Sequence, residues 1–310
     1  MNIACPKCGF EEPESATECS RCGIVFGKWV DDDRSRLSGQ ARLPVLQAED
    51  AGFGRAEIRI LIIGLVMAIA VTSISLLRFI FHPIIILVHE LGHAVAGWLL
   101  GYPSIPSFDF VYGGGITPHG EFQVAIALFV AAGFAYLGYT LRQNRRAVIV
   151  IAACFLIWLF IDTSEWRRLL VVEAAGHMSE CIFAGIFLYM ALAGIGWRVP
   201  EVERPLGAFV AFFIEINMIL FCLDLMHNQE FLETYKQGKG GMLMHDVDAI
   251  SADLTIHTRW HPSIQGLAFL LLLFSFVPLA AAVILYLKNV SWDSVVTSLY
   301  APQADGPGGR

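Results

Sequence analysis

The chain has 310 residues, of which 56% are hydrophobic and only 16% are charged. This composition lies outside the range of soluble globular domains and predicts a multi-pass membrane protein. The net charge is −7, with the acids spread over the N-terminal region and a later loop, so we expect neither a nucleic-acid-binding patch nor a polybasic lipid-binding tail. The N-terminus lacks the charge and apolar pattern of a removable signal peptide, and we expect it to be retained.

The N-terminal segment, residues 1–30, carries two Cys-x2-Cys pairs, Cys5 with Cys8 and Cys19 with Cys22. Each pair can direct two sulfurs at one point, and the stretch between the pairs is long enough for a short hairpin. Two disulfides are disfavoured in a reducing compartment, and a redox site would need only one pair. We therefore predict a zinc ribbon in which four thiolates bind one structural zinc ion that supplies the folding energy. It resembles the zinc ribbons appended to many proteins, which implies a protein partner.

Residues 31–57 are polar and lack apolar periodicity, so we expect a linker. A membrane domain is predicted over 58–290 and a tail over 291–310. The membrane domain contains seven apolar stretches, most of which match the ~20 residues that cross a bilayer. They are 58–81, 83–100, 121–141, 147–163, 169–193, 207–226 and 264–287, with Pro83 in the first turn of the second helix. The predicted fold class is an all-α polytopic membrane protein with about seven transmembrane helices and a small zinc ribbon.

We expect the ribbon to be cytoplasmic, because reducing conditions favour thiolate ligands, and the protein to lie in the inner (cell) membrane of a bacterium. The second helix then runs from outside to inside. Arg142, Arg145 and Arg146 would fall outside, against the positive-inside tendency, whereas Arg167 and Arg168 would fall inside and agree with it.

The second apolar stretch contains the most informative motif, His89-Glu90-Leu91-Gly92-His93. Polar side chains near a bilayer centre cost roughly 2.5 to 3.5 kcal/mol each, so this cluster needs a compensating partner. Residues four apart share a helix face, which lets His89 and His93 bind one zinc ion with Glu90 beside it as general base. The alternative is a chance match in which the histidines bond to neighbouring helices.

The segment after this helix contains short β-like runs around three glycines, over residues 102–119. It fits a hairpin or re-entrant loop packed against the motif helix, where an exposed strand edge would hold a substrate extended. A flexible connector is the alternative. We expect His119 to be an interfacial residue rather than a ligand.

A third zinc ligand must come from another helix at similar depth. His177 meets this condition at ~12 Å from the cytosolic end of the fifth stretch, and we predict it as the ligand. Glu173 is either an alternative ligand or an acceptor that orients an imidazole, and Glu180 continues its face. On the sixth stretch, Asp224 is a further candidate, with Glu215 and Asn217 nearby. These acids and His177 could also simply satisfy one another between helices.

Residues 227–263 form a long loop rich in histidine and aspartate. The spacings match no familiar ligand pattern, so we expect a solvated acidic loop rather than a second metal site.

The segment around His89, Glu90 and His93 resembles the zinc-binding helix of the site-2 protease family of intramembrane metalloproteases. The resemblance implies zinc at the two histidines and a catalytic role for Glu90. Family members carry a later Asn-rich helix ending in Leu-Asp-Gly, whose aspartate is the third ligand. This chain has Asn217 and Leu223-Asp224, but the spacing is one residue short and Leu225 replaces the glycine. The departure indicates a divergent branch.

The predicted function is intramembrane zinc metallopeptidase, which cleaves a membrane-embedded or membrane-proximal segment of a protein substrate. Zinc is the expected cofactor, one ion in the membrane site and one in the ribbon. The bilayer, a membrane protein substrate and a protein bound by the ribbon are the expected partners. The alternatives are a non-proteolytic metal-binding sensor or scaffold and a metal transporter, which would need a polar path across the whole bilayer.

Overall fold

A computed structural model of the chain describes residues 2–5, 10–13, 16–23, 54–109, 114–237 and 244–288. The chain forms two compact units, Met1–Val45 and Leu46–Arg310. Most of the predicted linker and the whole of the predicted tail lie outside the described residues, so the predicted domain boundaries stay predictions.

The smaller unit contains a two-stranded antiparallel hairpin. Strand β1, Asn2–Ala4, pairs with β2, Glu11–Pro13, with Asn2 opposite Pro13. The two strands flank the first cysteine pair, whereas the sequence suggested a hairpin between the pairs. Cys5 follows β1 directly, and the turn around residues 20–22 brings Cys19 and Cys22 to the same place.

The larger unit consists of helices and one short hairpin in its described parts. The helices are α1 (Arg55–Ser73), α2 (Ser75–Leu99), α3 (Val124–Thr140), α4 (Arg145–Asp162), α5 (Glu165–Ala193), α6 (Pro200–His227), α7 (Gln229–Lys236), α8 (Asp246–His257) and α9 (Ile264–Leu287). Five of them, α1, α2, α5, α6 and α9, are long and apolar enough to cross a membrane. This suggests a multi-pass membrane protein.

The number of candidate spans is therefore five in the described residues, rather than the seven predicted. The stretch at 121–141 forms α3, which has 17 residues and is shorter than a typical span. The stretch at 147–163 forms α4, which carries Arg145, Arg146 and Asp162 at its ends. These charges shorten the apolar part of α4 to less than the hydrocarbon thickness.

The boundary between the first two helices also differs from the prediction. Helix α1 ends at Ser73, the extended residue Ile74 follows, and α2 then continues through Pro83 to Leu99. Pro83 thus lies inside a helix of 25 residues rather than in its first turn. Thr72, Ser73 and Ser75 interrupt the apolar run around Ile74, and this is a weaker sign of a helix boundary than Pro83.

Helix α5 is central, because α2, α6 and α9 all pack against it, while α1 packs mainly on α6. The buried core between α5 and α6 includes Phe209, Phe213 and Ile214, whose side chains are at most 3% exposed. Close van der Waals packing of these side chains therefore fixes the position of α5 relative to α2 and α6.

The predicted hairpin is present and packs against α2. Strand β3, Ser107–Asp109, pairs with β4, Gly114–Ile116, and an isolated bridge joins Ser104 to His119. The hairpin thus brings the segment after β4 beside the motif helix.

The loop at 227–263 is not a solvated acidic loop in its described parts. It contains α7 and α8, and the buried residues Leu232, Tyr235 and Val247 form one apolar cluster with Leu225 and Ile264. This cluster anchors α8 to the ends of α6 and α9. The loop is acidic overall, so its composition did not indicate the apolar residues that pack α7 and α8 against α6 and α9.

The close contact between α1 and α6 gives a test of the helix packing. A Cβ atom at Gly64 would lie 2.6 Å from Cβ of Ala208, so Gly64→Leu should force the helices apart and destabilise the fold by about 1–3 kcal/mol. Gly133→Leu on α3 is the matched control, because nothing lies within 4 Å of its Cβ position. The midpoint of thermal unfolding in detergent should fall for the first variant only. Equal midpoints would contradict the packing.

Candidate metal centre

The motif residues lie on the face of α2 that packs against α5. A Cβ atom at Gly92 would lie 2.4 Å from the carbonyl oxygen of Ala175, and one at Gly176 would lie 2.4 Å from Nε2 of His93. The two glycines therefore allow the helix backbones to approach closely enough for α5 to contact the histidines. The hydroxyl of Ser179 donates to the carbonyl oxygen of Val88 at 2.8 Å and ties the helices together at this level.

Three ligand-type atoms form a tight triangle. Nε2 of His89 lies 3.0 Å from Nε2 of His93, and Oδ2 of Asp246 lies 2.9 Å from the first and 3.1 Å from the second. Nε2 of His177 is 3.9 Å from the same carboxylate oxygen, and His89, His177 and Asp246 form a group that could hold a metal ion. Four donors therefore converge. Two ligands on a tetrahedral zinc ion are about 3.3 Å apart, for metal–nitrogen distances of about 2.0–2.1 Å.

Sequence reasoning missed Asp246, the first residue of α8. It lies in the loop where we expected solvated acids, 153 residues from His93 along the chain. Burial by itself raises the pKa of Asp246, but hydrogen bonds from protonated imidazoles and their positive charge outweigh burial and hold that pKa well below its usual range. The carboxylate is thus ionised beside positive charge, whether protons or a metal ion supply that charge. The signal in the sequence was the richness of this loop in histidine and aspartate, and it is weak because the spacings match no familiar ligand pattern.

The other nitrogen of each imidazole has an acceptor. Nδ1 of His89 lies 2.6 Å from Oε1 of Glu180, and Nδ1 of His177 lies 3.2 Å from the same oxygen. Nδ1 of His93 lies 2.7 Å from the carbonyl oxygen of Val172. A carbonyl oxygen only accepts, so His93 carries its proton on Nδ1, and the carboxylate of Glu180 favours the same tautomer for the other two.

This tautomer leaves the Nε2 lone pairs of the neutral imidazoles facing one another. Lone pairs 3.0 Å apart repel unless a proton or a cation lies between them. Imidazole nitrogens and a carboxylate oxygen are ligands that zinc accepts, and ligating imidazoles usually donate their other ring N–H to a carboxylate or carbonyl oxygen, as they do here. The residues present therefore fit a zinc ion.

Glu90 lies beside this cluster without being one of its donors. It is buried, and its Oε2 accepts a hydrogen bond of 2.6 Å from the hydroxyl of Thr117, which follows β4. A Cβ atom at Gly115 would lie 2.2 Å from Oε1, so only glycine lets the hairpin approach this closely. The hairpin thereby fixes the orientation of the Glu90 carboxylate.

Two cavities meet at the cluster. The first has a volume of about 520 Å³ and is lined by His89, Glu90, His93 and His177 together with the segment after β4 and the start of α8. The second, of about 360 Å³, lies between α2 and α6 and ends at Arg78 and His82. A chain segment could therefore reach the histidines and Glu90 from either side.

The remaining predicted residues have different places. Glu173 lines the first cavity, but it is not in the metal-capable group. Asp224 lines the second cavity, Asn217 accepts a hydrogen bond from Arg78, and Glu215 accepts one from Ser275. The structure thus brings His177 to the motif histidines, and it does not bring Asp224 to them within the described residues.

His119 also lines the first cavity and lies outside the metal-capable group, while its predicted interfacial position stays a prediction. Burial lowers the pKa of His119, and a positive charge on His93 would lower it further, so the neutral imidazole is favoured at pH 7. Its Nδ1 lies 2.7 Å from Oγ of Ser104.

The smaller unit contains a second metal-capable group of Cys5, Cys19 and Cys22, within the predicted ribbon. Sγ of Cys5 lies 3.6 Å from Sγ of Cys22, close to the separation of about 3.8 Å for two sulfurs bound to one zinc ion at 2.3 Å. The predicted fourth ligand, Cys8, lies outside the described residues. The described thiols therefore suit one metal ion.

Comparison with family models, with curated proteins and with solved structures finds no match for this chain. The resemblance to site-2 proteases thus depends on the motif residues and on the helix-rich architecture. The five apolar helices and the cluster of histidines and aspartate are consistent with it.

The shared acceptor of two imidazoles gives a test of the metal centre. Glu180→Leu leaves Nδ1 of His89 and His177 without its acceptor, and we expect zinc affinity of the membrane unit to fall by about 10- to 100-fold. Glu215→Leu is the matched control, a buried glutamate that bonds to Ser275 instead. Zinc retention against a competing chelator measures the effect. Equal retention in both variants would show that Glu180 does not support the site.

Proposed function

We propose that the protein is an intramembrane zinc metalloendopeptidase that hydrolyses peptide bonds in membrane-embedded or membrane-proximal protein segments. The observation that carries this proposal is the convergence of His89, His93 and Asp246 beside a carboxylate, Glu90, that is held apart from them. Two imidazoles and one carboxylate are the ligand set of several zinc peptidases, and a separate glutamate supplies their general base.

The proposed roles follow from the contacts. When bound, zinc lowers the pKa of a water molecule toward neutrality and polarises the scissile carbonyl. Glu90 accepts a proton from the attacking water and passes it to the leaving amine, while Thr117 keeps its carboxylate oriented. Glu180 and the carbonyl of Val172 hold the imidazoles with Nε2 toward the metal.

The substrate class is proposed from the position of the cavities. They lie within a bundle of apolar helices and beside a hairpin, so an apolar segment that has left its helical form would fit them. Strand addition to the hairpin would hold that segment extended. For the predicted ribbon, we propose a structural zinc ion and a cytoplasmic location. The ribbon would bind a protein partner, either to recruit it or to regulate the membrane domain.

A second candidate function has one observation in its favour. Four donors, His89, His93, His177 and Asp246, would fill a tetrahedral shell, and closed shells are typical of structural zinc sites. A non-proteolytic metal-binding sensor or scaffold would have such a site. The two functions differ in the role of Glu90, which is the general base in a peptidase and only a packing residue in a sensor or scaffold.

Substitution of the general base tests the peptidase proposal. Glu90→Gln should lower cleavage of fluorescein-labelled casein in detergent by at least about 10²-fold, because the amide cannot accept the proton. The purified variant and the wild type should both carry about two zinc ions per chain. Glu121→Gln, at an exposed glutamate before α3, is the control and should leave cleavage unchanged. Full activity in Glu90→Gln would exclude the mechanism, and an inactive wild type would favour the sensor.

The choice of third ligand is tested by zinc binding alone. We expect Asp246→Ala to lose the membrane zinc ion, because its Oδ2 lies within 3.1 Å of Nε2 of both motif histidines. His177→Ala should retain zinc with lower affinity, since its nitrogen is 3.9 Å from the same oxygen. Elemental analysis of the purified variants measures this. Loss in His177→Ala with retention in Asp246→Ala would instead support His177 as the third ligand.

A further inference from the structure

His119 has a fixed position in the first cavity. Gly97 lies against it from α2, where a Cβ atom would be 2.1 Å from Oγ of Ser104 and 3.1 Å from Nδ1 of His119. The backbone is held on both sides, since Gly120 donates to the carbonyl of Pro103 at 2.7 Å and Ser104 forms a bridge with His119. These contacts therefore fix the His119 imidazole in the wall of the first cavity.

The tautomer of His119 follows from its partner. The hydroxyl of Ser104 has one hydrogen, and it lies 2.9 Å from the carbonyl oxygen of Tyr102, which can only accept. Oγ of Ser104 then has lone pairs left for His119, so Nδ1 of His119 donates to it at 2.7 Å. Since the ring is neutral, Nε2 is left as an acceptor.

The distance from the metal centre follows from helix geometry. Gly97 is one turn beyond His93 on α2, a rise of about 6 Å at 1.5 Å per residue. An extended peptide advances about 3.3 Å per residue, so a group bound at His119 lies about two residues from a bond held at the metal. Backbone N–H groups are the donors that every extended peptide offers at this spacing.

We infer that Nε2 of His119 accepts a hydrogen bond from a backbone N–H of the bound substrate, about two residues from the scissile bond. This inference rests on the proposed function. It makes His119 a substrate-positioning residue that recognises the backbone of the substrate rather than a side chain. Ser104 and Gly97 act through it, by fixing the tautomer and the ring position. The site would thus select an extended backbone rather than a particular side chain.

The first test uses binding and needs no turnover. A short soluble peptide of alternating alanine and valine is titrated into zinc-loaded Glu90→Gln protein and into the double variant with His119→Ala, and peptides N-methylated at single positions are compared. One N-methyl position should weaken binding to Glu90→Gln about threefold to tenfold and leave binding to the double variant unchanged. Equal losses in both proteins at every position, or no binding of the peptide, would overturn the inference.

Nitrogen-15 NMR of labelled imidazoles supplies an independent check of the tautomer. The Nε2 signal of His119 should be that of an unprotonated nitrogen at pH 7 and should move when the unmethylated peptide binds. Ser104→Ala should alter the signal without loss of zinc. A protonated Nε2 in the wild type would contradict the assignment.

The second test uses cleavage of casein. His119→Ala and His119→Leu should raise KM about threefold to tenfold with kcat nearly unchanged and both zinc ions retained, because a contact made equally in bound substrate and transition state is lost. His119→Gln should restore part of the affinity, since its amide oxygen can accept. Unchanged KM in His119→Ala would overturn the inference, while Glu90→Gln would still test the mechanism. Conversely, peptide binding through His119 without any cleavage by the wild type would refute only the peptidase proposal.

Discussion

The contact between α2 and α5 is the interaction on which the rest of the site depends. Imidazoles and carboxylates within apolar helices are costly, and here the imidazoles of the two motif histidines receive acceptors from α5. Gly92 and Gly176 allow the close approach, and Glu180 and the carbonyl of Val172 then bind the Nδ1 atoms. A single packing arrangement thus satisfies the buried polar groups and directs the Nε2 atoms to one point.

The site combines elements of two kinds. The apolar helices supply His89, His93 and His177, whereas segments between helices supply Asp246 and the hairpin that holds Glu90. The helices give the precise and rigid donors. The connecting segments line the first cavity, through which a ligand would approach. Residues of these segments would therefore determine which substrates bind.

The donor chemistry resembles that of site-2 proteases, but the chain reaches it differently. In the family the aspartate comes from a later helix, and the corresponding helix here, α6, has Asp224 on the second cavity and Asn217 bonded to Arg78. The carboxylate at the histidines comes instead from the start of α8. The same ligand types therefore meet here from a different part of the chain than in that family.

The sequence by itself determined the local features. The spacing of His89 and His93 places both on one helix face, hydropathy located the long apolar helices, and the cysteine spacing indicated the metal-capable ribbon, because each of these depends on neighbours along the chain. Only the tertiary structure decided that Asp246 reaches the histidines and that His119 lines the cavity. The described residues contain five helices long and apolar enough to span rather than seven, and this difference depends on where α3 and α4 begin and end. Contacts across 153 residues depend on how helices pack, and no local pattern records them.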